Sequence, residues 1–104
     1  MAGDGRLVRV EVPAPGPGQV VTVDVEGTTV AIASIGGRLR AFDGTCTHRG
    51  CSLADGTLAG PTVMCRCHKG RFDLRTGEVL DGPPTEPLRI REVRLDVDGL
   101  LVEA

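Results

Sequence analysis

The sequence predicts an all-β fold built from short antiparallel strands in a sandwich or barrel. Three observations carry this expectation. Apolar and polar residues alternate with period two along several short runs, the signature of half-buried strands. Fifteen glycines and seven prolines among 104 residues punctuate those runs into hairpin-sized pieces. With two Phe, no Tyr and no Trp, the core is left to Val, Leu and Ile, of which the β-branched Val and Ile favour strands.

Taken in order, Leu7 to Val12 alternates and reads as a first strand. The Pro13-Ala14-Pro15-Gly16-Pro17-Gly18 turn follows, and Val20 to Val25 is a second strand. Glu26-Gly27 turns the chain into Thr29 to Ile35, and Gly36-Gly37 is a two-residue hairpin signal leading to Arg38 to Phe42. These strands form an antiparallel meander. Thr62 to Met64 is a short strand, and Arg71 to Asp73 pairs with Glu78 to Leu80 around Thr76-Gly77. Arg89 to Val97 and Leu100 to Val102, joined by Asp98-Gly99, close the fold as a last hairpin. No convincing helix and no internal repeat is expected.

Length and charge narrow the function. A chain of 104 residues is one domain. A formal charge of −2 argues against a nucleic-acid binder, whose footprint is basic. The opening residues Met1-Ala2-Gly3-Asp4-Gly5 carry no signal-peptide pattern. The longest apolar stretches, such as Val30 to Ala33, fall far short of a membrane span. The expectation is a soluble, cytoplasmic protein that binds neither nucleic acid nor membrane, and a monomer.

The chemistry lies in two short strings, Cys46-Thr47-His48-Arg49-Gly50-Cys51 and Cys65-Arg66-Cys67-His68-Lys69-Gly70-Arg71-Phe72-Asp73. Cys46, His48, Cys65 and His68 make a split ligand set with sixteen residues between His48 and Cys65. Two thiolates and two imidazoles can hold a 2Fe-2S cluster, with the cysteines on one iron and the histidines on the other. The same donors also suit tetrahedral zinc, although zinc modules usually pair each Cys with another Cys. An all-cysteine cluster fits less well, because Cys65-x-Cys67 breaks the plant-type spacing.

The order Cys-x-His followed by Cys-x-x-His, with the residues around it, closely resembles the Rieske family. The resemblance covers most of the chain. It implies a single Rieske domain over 1–104, with a base β fold at about 5–42 and 85–104 and an inserted cluster-binding subdomain at about 43–84. It implies one 2Fe-2S cluster per chain. It also implies that the proline loop Gly82-Pro83-Pro84 shields the cluster, with Pro83 among the residues around it. Cys51 and Cys67 stand where the cytochrome bc branch of the family has a disulfide between its ligand loops. Closing that loop is worth roughly 3 kcal/mol in the chain-entropy model. Where that branch has a serine and a tyrosine whose hydroxyls bond to the cluster sulfurs, this chain has Gly70 and Phe72, as in the soluble ferredoxins that feed oxygenases.

The implied function is a soluble one-electron carrier. Its donor would be a flavin-dependent reductase, and its acceptor a Rieske oxygenase or a similar protein. Alternatives are a small Rieske-like subunit of a larger redox complex and a zinc-stabilised interaction module. The chain is not itself an enzyme: an oxygenase needs a further iron on two histidines and a carboxylate, and the cluster uses both histidines present. From position 49 to 75, Arg49, Arg66, Lys69, Arg71 and Arg75 face only Asp55 and Asp73. That excess suits a partner with an acidic docking face.

Overall fold

In the computed structural model of the chain, residues 6–45, 52–66, 70–82, 86–97 and 99–104 are described. Among the described residues eleven strands are arranged in three sheets. They are β1 (Leu7–Val10), β2 (Val20–Val25), β3 (Thr28–Ile35), β4 (Arg38–Asp43), β5 (Thr57–Ala59), β6 (Thr62–Met64), β7 (Arg71–Asp73), β8 (Val79–Asp81), β9 (Ile90–Arg91), β10 (Val93–Asp96) and β11 (Gly99–Glu103). The first sheet has the order β1-β11-β10, the second β2-β3-β4-β9 and the third β5-β6-β7-β8, and every pairing within them is antiparallel.

The second sheet is the middle layer. β3 is buried on both faces, which is why Val30 to Ala33 forms an unbroken apolar run rather than an alternating one. Val30 and Ile32 join Val10, Leu100 and Val102 of the first sheet in one core. Ala31 and Ala33 face the other way, with Phe42, toward Val63, Cys65, Phe72 and Leu74 of the third sheet and its surroundings. Small side chains on that face of β3 leave room for aromatic rings, and both phenylalanines of the chain lie in this second core, fully buried. Each such side chain contributes about 1.5–3 kcal/mol through burial.

The meander over β2 to β4 is as expected. Val25 pairs with Thr28 and Ile35 with Arg38, so both hairpins have two-residue turns. At Gly36 and Gly37 both φ angles are positive, the geometry that a two-glycine turn provides without strain. Other parts differ from expectation. The proline-rich stretch 13–18 is a crossover rather than a hairpin turn, because β1 belongs to the first sheet and β2 to the second. It leans on β3, with the Gly18 N–H donating to the Ser34 carbonyl at 3.0 Å.

The stretch Arg89 to Val97, read as one strand, is two. β9 pairs with β4 and β10 pairs with β11, so the chain changes sheet at Glu92. There the Glu92 carbonyl accepts from Glu103 N–H at 2.9 Å, and the Glu92 N–H donates to the Glu103 carboxylate at 2.9 Å. An additional strand, β5, and a 3-10 turn at Leu53–Asp55 lie between β4 and β6. Among the described residues no helix is long and apolar enough to cross a membrane.

Candidate metal centre

Of the predicted site residues, Cys65, Gly70 and Phe72 are described. Cys46, His48, Cys51, Cys67, His68 and Pro83 lie outside the described residues. The described framework is nonetheless the part that closes, at their roots, both loops that carry the candidate ligands. The first loop leaves the end of β4 and is pinched where Thr45 pairs with Ser52 in an antiparallel bridge. Just outside that bridge, the Leu53 N–H donates to the Gly44 carbonyl at 2.8 Å. The second loop leaves β6 at Cys65, whose N–H donates to the Gly70 carbonyl at 2.7 Å as the chain enters β7.

Backbone packing brings the two roots together. Gly56, on the outgoing limb of the first loop, lies so close to β6 that a Cβ there would sit 2.3 Å from the Met64 carbonyl oxygen. The next residue, Thr57, pairs with Met64, the residue before Cys65. Glycine is required here for close approach, because its φ of −80° is ordinary. Leu53 from the first loop and Cys65 and Phe72 from the second share one apolar core. The third sheet therefore presents the second loop, whereas the first loop is strung from the second sheet to the third.

Cys65 is fully buried at the mouth of its loop. A sulfur donor held out of water at a backbone-fixed root is suited to a thiolate-bound metal, because the metal charge compensates a thiolate that burial alone would disfavour. Phe72 pairs with Val63 on one side and Val79 on the other, presenting an apolar ring with no hydroxyl in the core that holds Cys65. These described residues fit a buried, cysteine-ligated centre.

A locked turn leads out of β7 toward β8. Asp73, at the end of β7, is largely buried. Its carboxylate accepts from the Arg75 N–H at 2.8 Å, from Arg75 Nε at 3.1 Å and from Arg75 Nη2 at 2.9 Å. The Arg75 side-chain bonds, then its backbone N–H, hold the Asp73 carboxyl below its usual 3.8 against the opposing effect of burial, and the charges of Arg75 and Arg40 add to this. Arg75 is raised in turn by the same hydrogen bonds. The sequence places Asp73 at a strand end within the second string and counts Arg75 as a charge, without pairing the two; the spacing Asp-x-Arg across a turn is the available signal.

A depressed carboxyl takes up its proton in the unfolded chain before it does so in the folded one, so it stabilises the fold above the unfolded value and ceases to do so as pH falls through the folded one. Asp73→Asn should therefore lower Tm by a constant amount at neutral pH. The gap from wild type should close as pH drops below 3.8. Thermal melts of both proteins across the acid range measure it.

Pairing also thins the basic surface expected around the loops. Arg75 is matched by Asp73, and Arg71 lies 3.8 Å from Asp81, with both of the latter side chains exposed and the pair correspondingly weak. Arg66 is exposed and has no ion pair among the described residues. Arg49 and Lys69 lie outside the described residues.

Residues 8–94 match the family model described as Rieske [2Fe-2S] domain. The ferredoxin component of the naphthalene 1,2-dioxygenase system of Pseudomonas putida is 37% identical over 86 residues, spanning 78% of this chain and 83% of that protein. The biphenyl dioxygenase ferredoxin subunit of Pseudomonas sp. (strain KKS102) is 38% identical over 94 residues, spanning 89% of this chain and 84% of that one. Among solved structures, the ferredoxin of carbazole 1,9a-dioxygenase from Nocardioides aromaticivorans IC177 superposes with a TM-score of 0.83 at 29% identity, covering 94% of this chain and 96% of that chain. A chain of the complex of reduced oxygenase and oxidized ferredoxin in carbazole 1,9a-dioxygenase gives 0.82 at 33% identity, covering 89% and 99%.

Proposed function

Because this chain belongs to the Rieske [2Fe-2S] domain family, we propose that it is a soluble ferredoxin, passing single electrons from a flavin-dependent reductase to a terminal oxygenase. The observation that carries this reading is the end-to-end match to a dioxygenase ferredoxin, 94% of this chain against 96% of that one. Such relatives are electron carriers in dioxygenase systems rather than the enzymes of those systems.

In this reading Cys46 and Cys65 bind one iron and His48 and His68 the other. The cluster, when bound, takes up one electron at a time, preferentially at the imidazole-held iron, because imidazole donates less charge than thiolate. The protein supplies the rest. Cys65 holds its sulfur out of water, the two pinched roots fix the spacing of the loops, and the side chains around them set the energy of the added electron. Purified protein should be red-brown, with two irons and two acid-labile sulfides per chain, and its reduced electron-spin-resonance spectrum should show an average g value below that of all-cysteine clusters. Colourless protein holding stoichiometric zinc would defeat the reading.

Three finer assignments belong to the same proposal. About 43–84 is the cluster-binding subdomain on a base of about 5–42 and 85–104, supported by the third sheet lying wholly within 57–81. Cys51 and Cys67 form a disulfide that staples the loops, as their positions in the two motifs suggest. The compartment is cytoplasmic. Mass spectrometry after alkylation without reductant tests the staple: Cys51 and Cys67 should both escape modification.

Phe72 gives a test of potential. An apolar ring offers no hydrogen bond to the cluster or its sulfurs, so this carrier should lie below the cytochrome-complex branch yet within about −150 to +300 mV. Phe72→Tyr should raise the midpoint by about 40 mV, the equivalent of one net hydrogen bond favouring the reduced state. Protein-film voltammetry reads the shift. An unmoved potential would mean that this side chain does not reach the cluster environment.

A further inference from the structure

Among the described residues two charged side chains are buried, Asp73 and Arg91. Asp73 locks the turn already described. Arg91 lies where the chain leaves the second sheet, and its guanidinium reaches in two directions. Nε donates to Asp43 Oδ1 at 2.6 Å, and Nη1 donates to the Glu103 carbonyl at 2.9 Å. Asp43 is held a second time through its backbone, its N–H donating to the Arg89 carbonyl at 3.0 Å.

The backbone beyond Asp43 gives this fork its meaning. The Gly44 N–H donates to the Thr29 carbonyl at 3.0 Å, the Gly44 carbonyl receives the Leu53 N–H, and Thr45 bridges to Ser52. The next residue is Cys46. Arg91 thus ties the root of the first loop to β11, two segments far apart in sequence. Burying a guanidinium is costly, and an apolar pair of similar size often stabilises a fold as well or better. A planar fork has one property that an apolar pair lacks: it fixes the relative position of its acceptors.

From this arrangement we infer that Arg91 is a positioning residue for the cluster. Through Asp43 it sets the direction in which the chain enters the first loop, and so the presentation of Cys46 and His48. The inference rests on the proposed ligand role of Cys46 and His48.

The test uses the cluster-loaded protein and two kinds of readout. Hydrogen-exchange mass spectrometry of Arg91→Met should show peptides over residues 44–53 exchanging at least about fivefold faster than wild type, with strands β2 and β3 unchanged. Loss of the cluster to an iron chelator should accelerate, and the electron-spin-resonance lines of the reduced protein should broaden. Arg91→Lys, which keeps the charge but not the fork, should recover only part of each effect. Arg9→Met, which breaks the exposed Arg9–Asp96 pair of the first sheet, should leave all three readouts unchanged. Should Arg91→Met fail to fold, Asp43→Ala at the more exposed partner must give the same local signature. Unchanged exchange over 44–53, or a rise matched in β2 and β3, overturns the inference. Zinc in place of a 2Fe-2S cluster in the wild type overturns the electron-carrier reading, and positioning for a cluster with it, whereas the same four donors can hold zinc and the exchange data still report on the loop root.

Discussion

Gly77→Ala is expected to destabilise the protein by about 3 kcal/mol, from left-handed strain together with overpacking. Gly77 has a φ of +84°, and a Cβ there would lie 2.0 Å from the Leu88 carbonyl oxygen and 3.1 Å from its carbon. The added Cβ is fixed by its own backbone and meets the Leu88 backbone, so no side chain can swing away to relieve the contact. The same two residues share a hydrogen bond, the Leu88 N–H donating to the Gly77 carbonyl at 2.7 Å. Alanine must therefore push Leu88 outward, stretching that bond and unseating a side chain that is 3% exposed in the core holding Cys65. In a domain of this size, Tm should fall by roughly 12–24 °C. Gly60→Ala is the control. Gly60 also has a positive φ, but nothing lies within 4 Å of its Cβ position, so only the conformational part of the cost remains. Equal losses in the two variants would show that the Leu88 contact is not what Gly77 serves.

Cys65→Ser should abolish the native cluster altogether. A serine hydroxyl stays protonated where a thiolate forms, and an oxygen donor suits iron–sulfur chemistry poorly. The site compounds the loss. Cys65 is fully buried, so the replacement places a polar hydroxyl in an apolar core, at a cost of about 1–3 kcal/mol if it finds no partner. His68→Ser should likewise remove the native spectrum, by depriving one iron of an imidazole. If Cys51 and Cys67 form the proposed disulfide, Cys51→Ser should instead leave a cluster that assembles and then decays faster, a staple rather than a ligand being removed. Iron and sulfide analysis with visible absorption distinguishes the three variants. A Cys65→Ser protein with a wild-type spectrum would exclude that residue as a ligand.

The family was legible in the order Cys-x-His then Cys-x-x-His, because metal chemistry writes itself into residue type and spacing. The hairpins of β2 to β4 were legible for a related reason: their turns are two residues long, so the signal is local. The division of β9 from β10 was not. Arg91 alternates as an outward-facing polar residue should, yet it is buried, because its partner Asp43 lies on another strand. β5 was missed because Thr57-Leu58-Ala59 is too short and too mixed to read as a strand until Met64 and Val63 are beside it. Thr76-Gly77 was recognised as a turn, but the contact with Leu88 that makes its glycine indispensable is tertiary and leaves no local trace.

The register of β1 against β11 bears on how the protein is made. Leu7 pairs with Glu103 and Val10 with Leu100, so β1 meets its partner across almost the whole length of the chain. The third sheet, by contrast, pairs strands that are close neighbours in sequence. Pairings of low sequence separation form early, whereas those that close long loops come late and slowly. On the ribosome, β1 must wait with its apolar residues unshielded until β11 has emerged, whereas β5 to β8 can already associate. Closure of the first sheet is then the last pairing of this fold to form, and a chain stalled before residue 99 would retain the framework of the second loop while lacking the strand that completes its base.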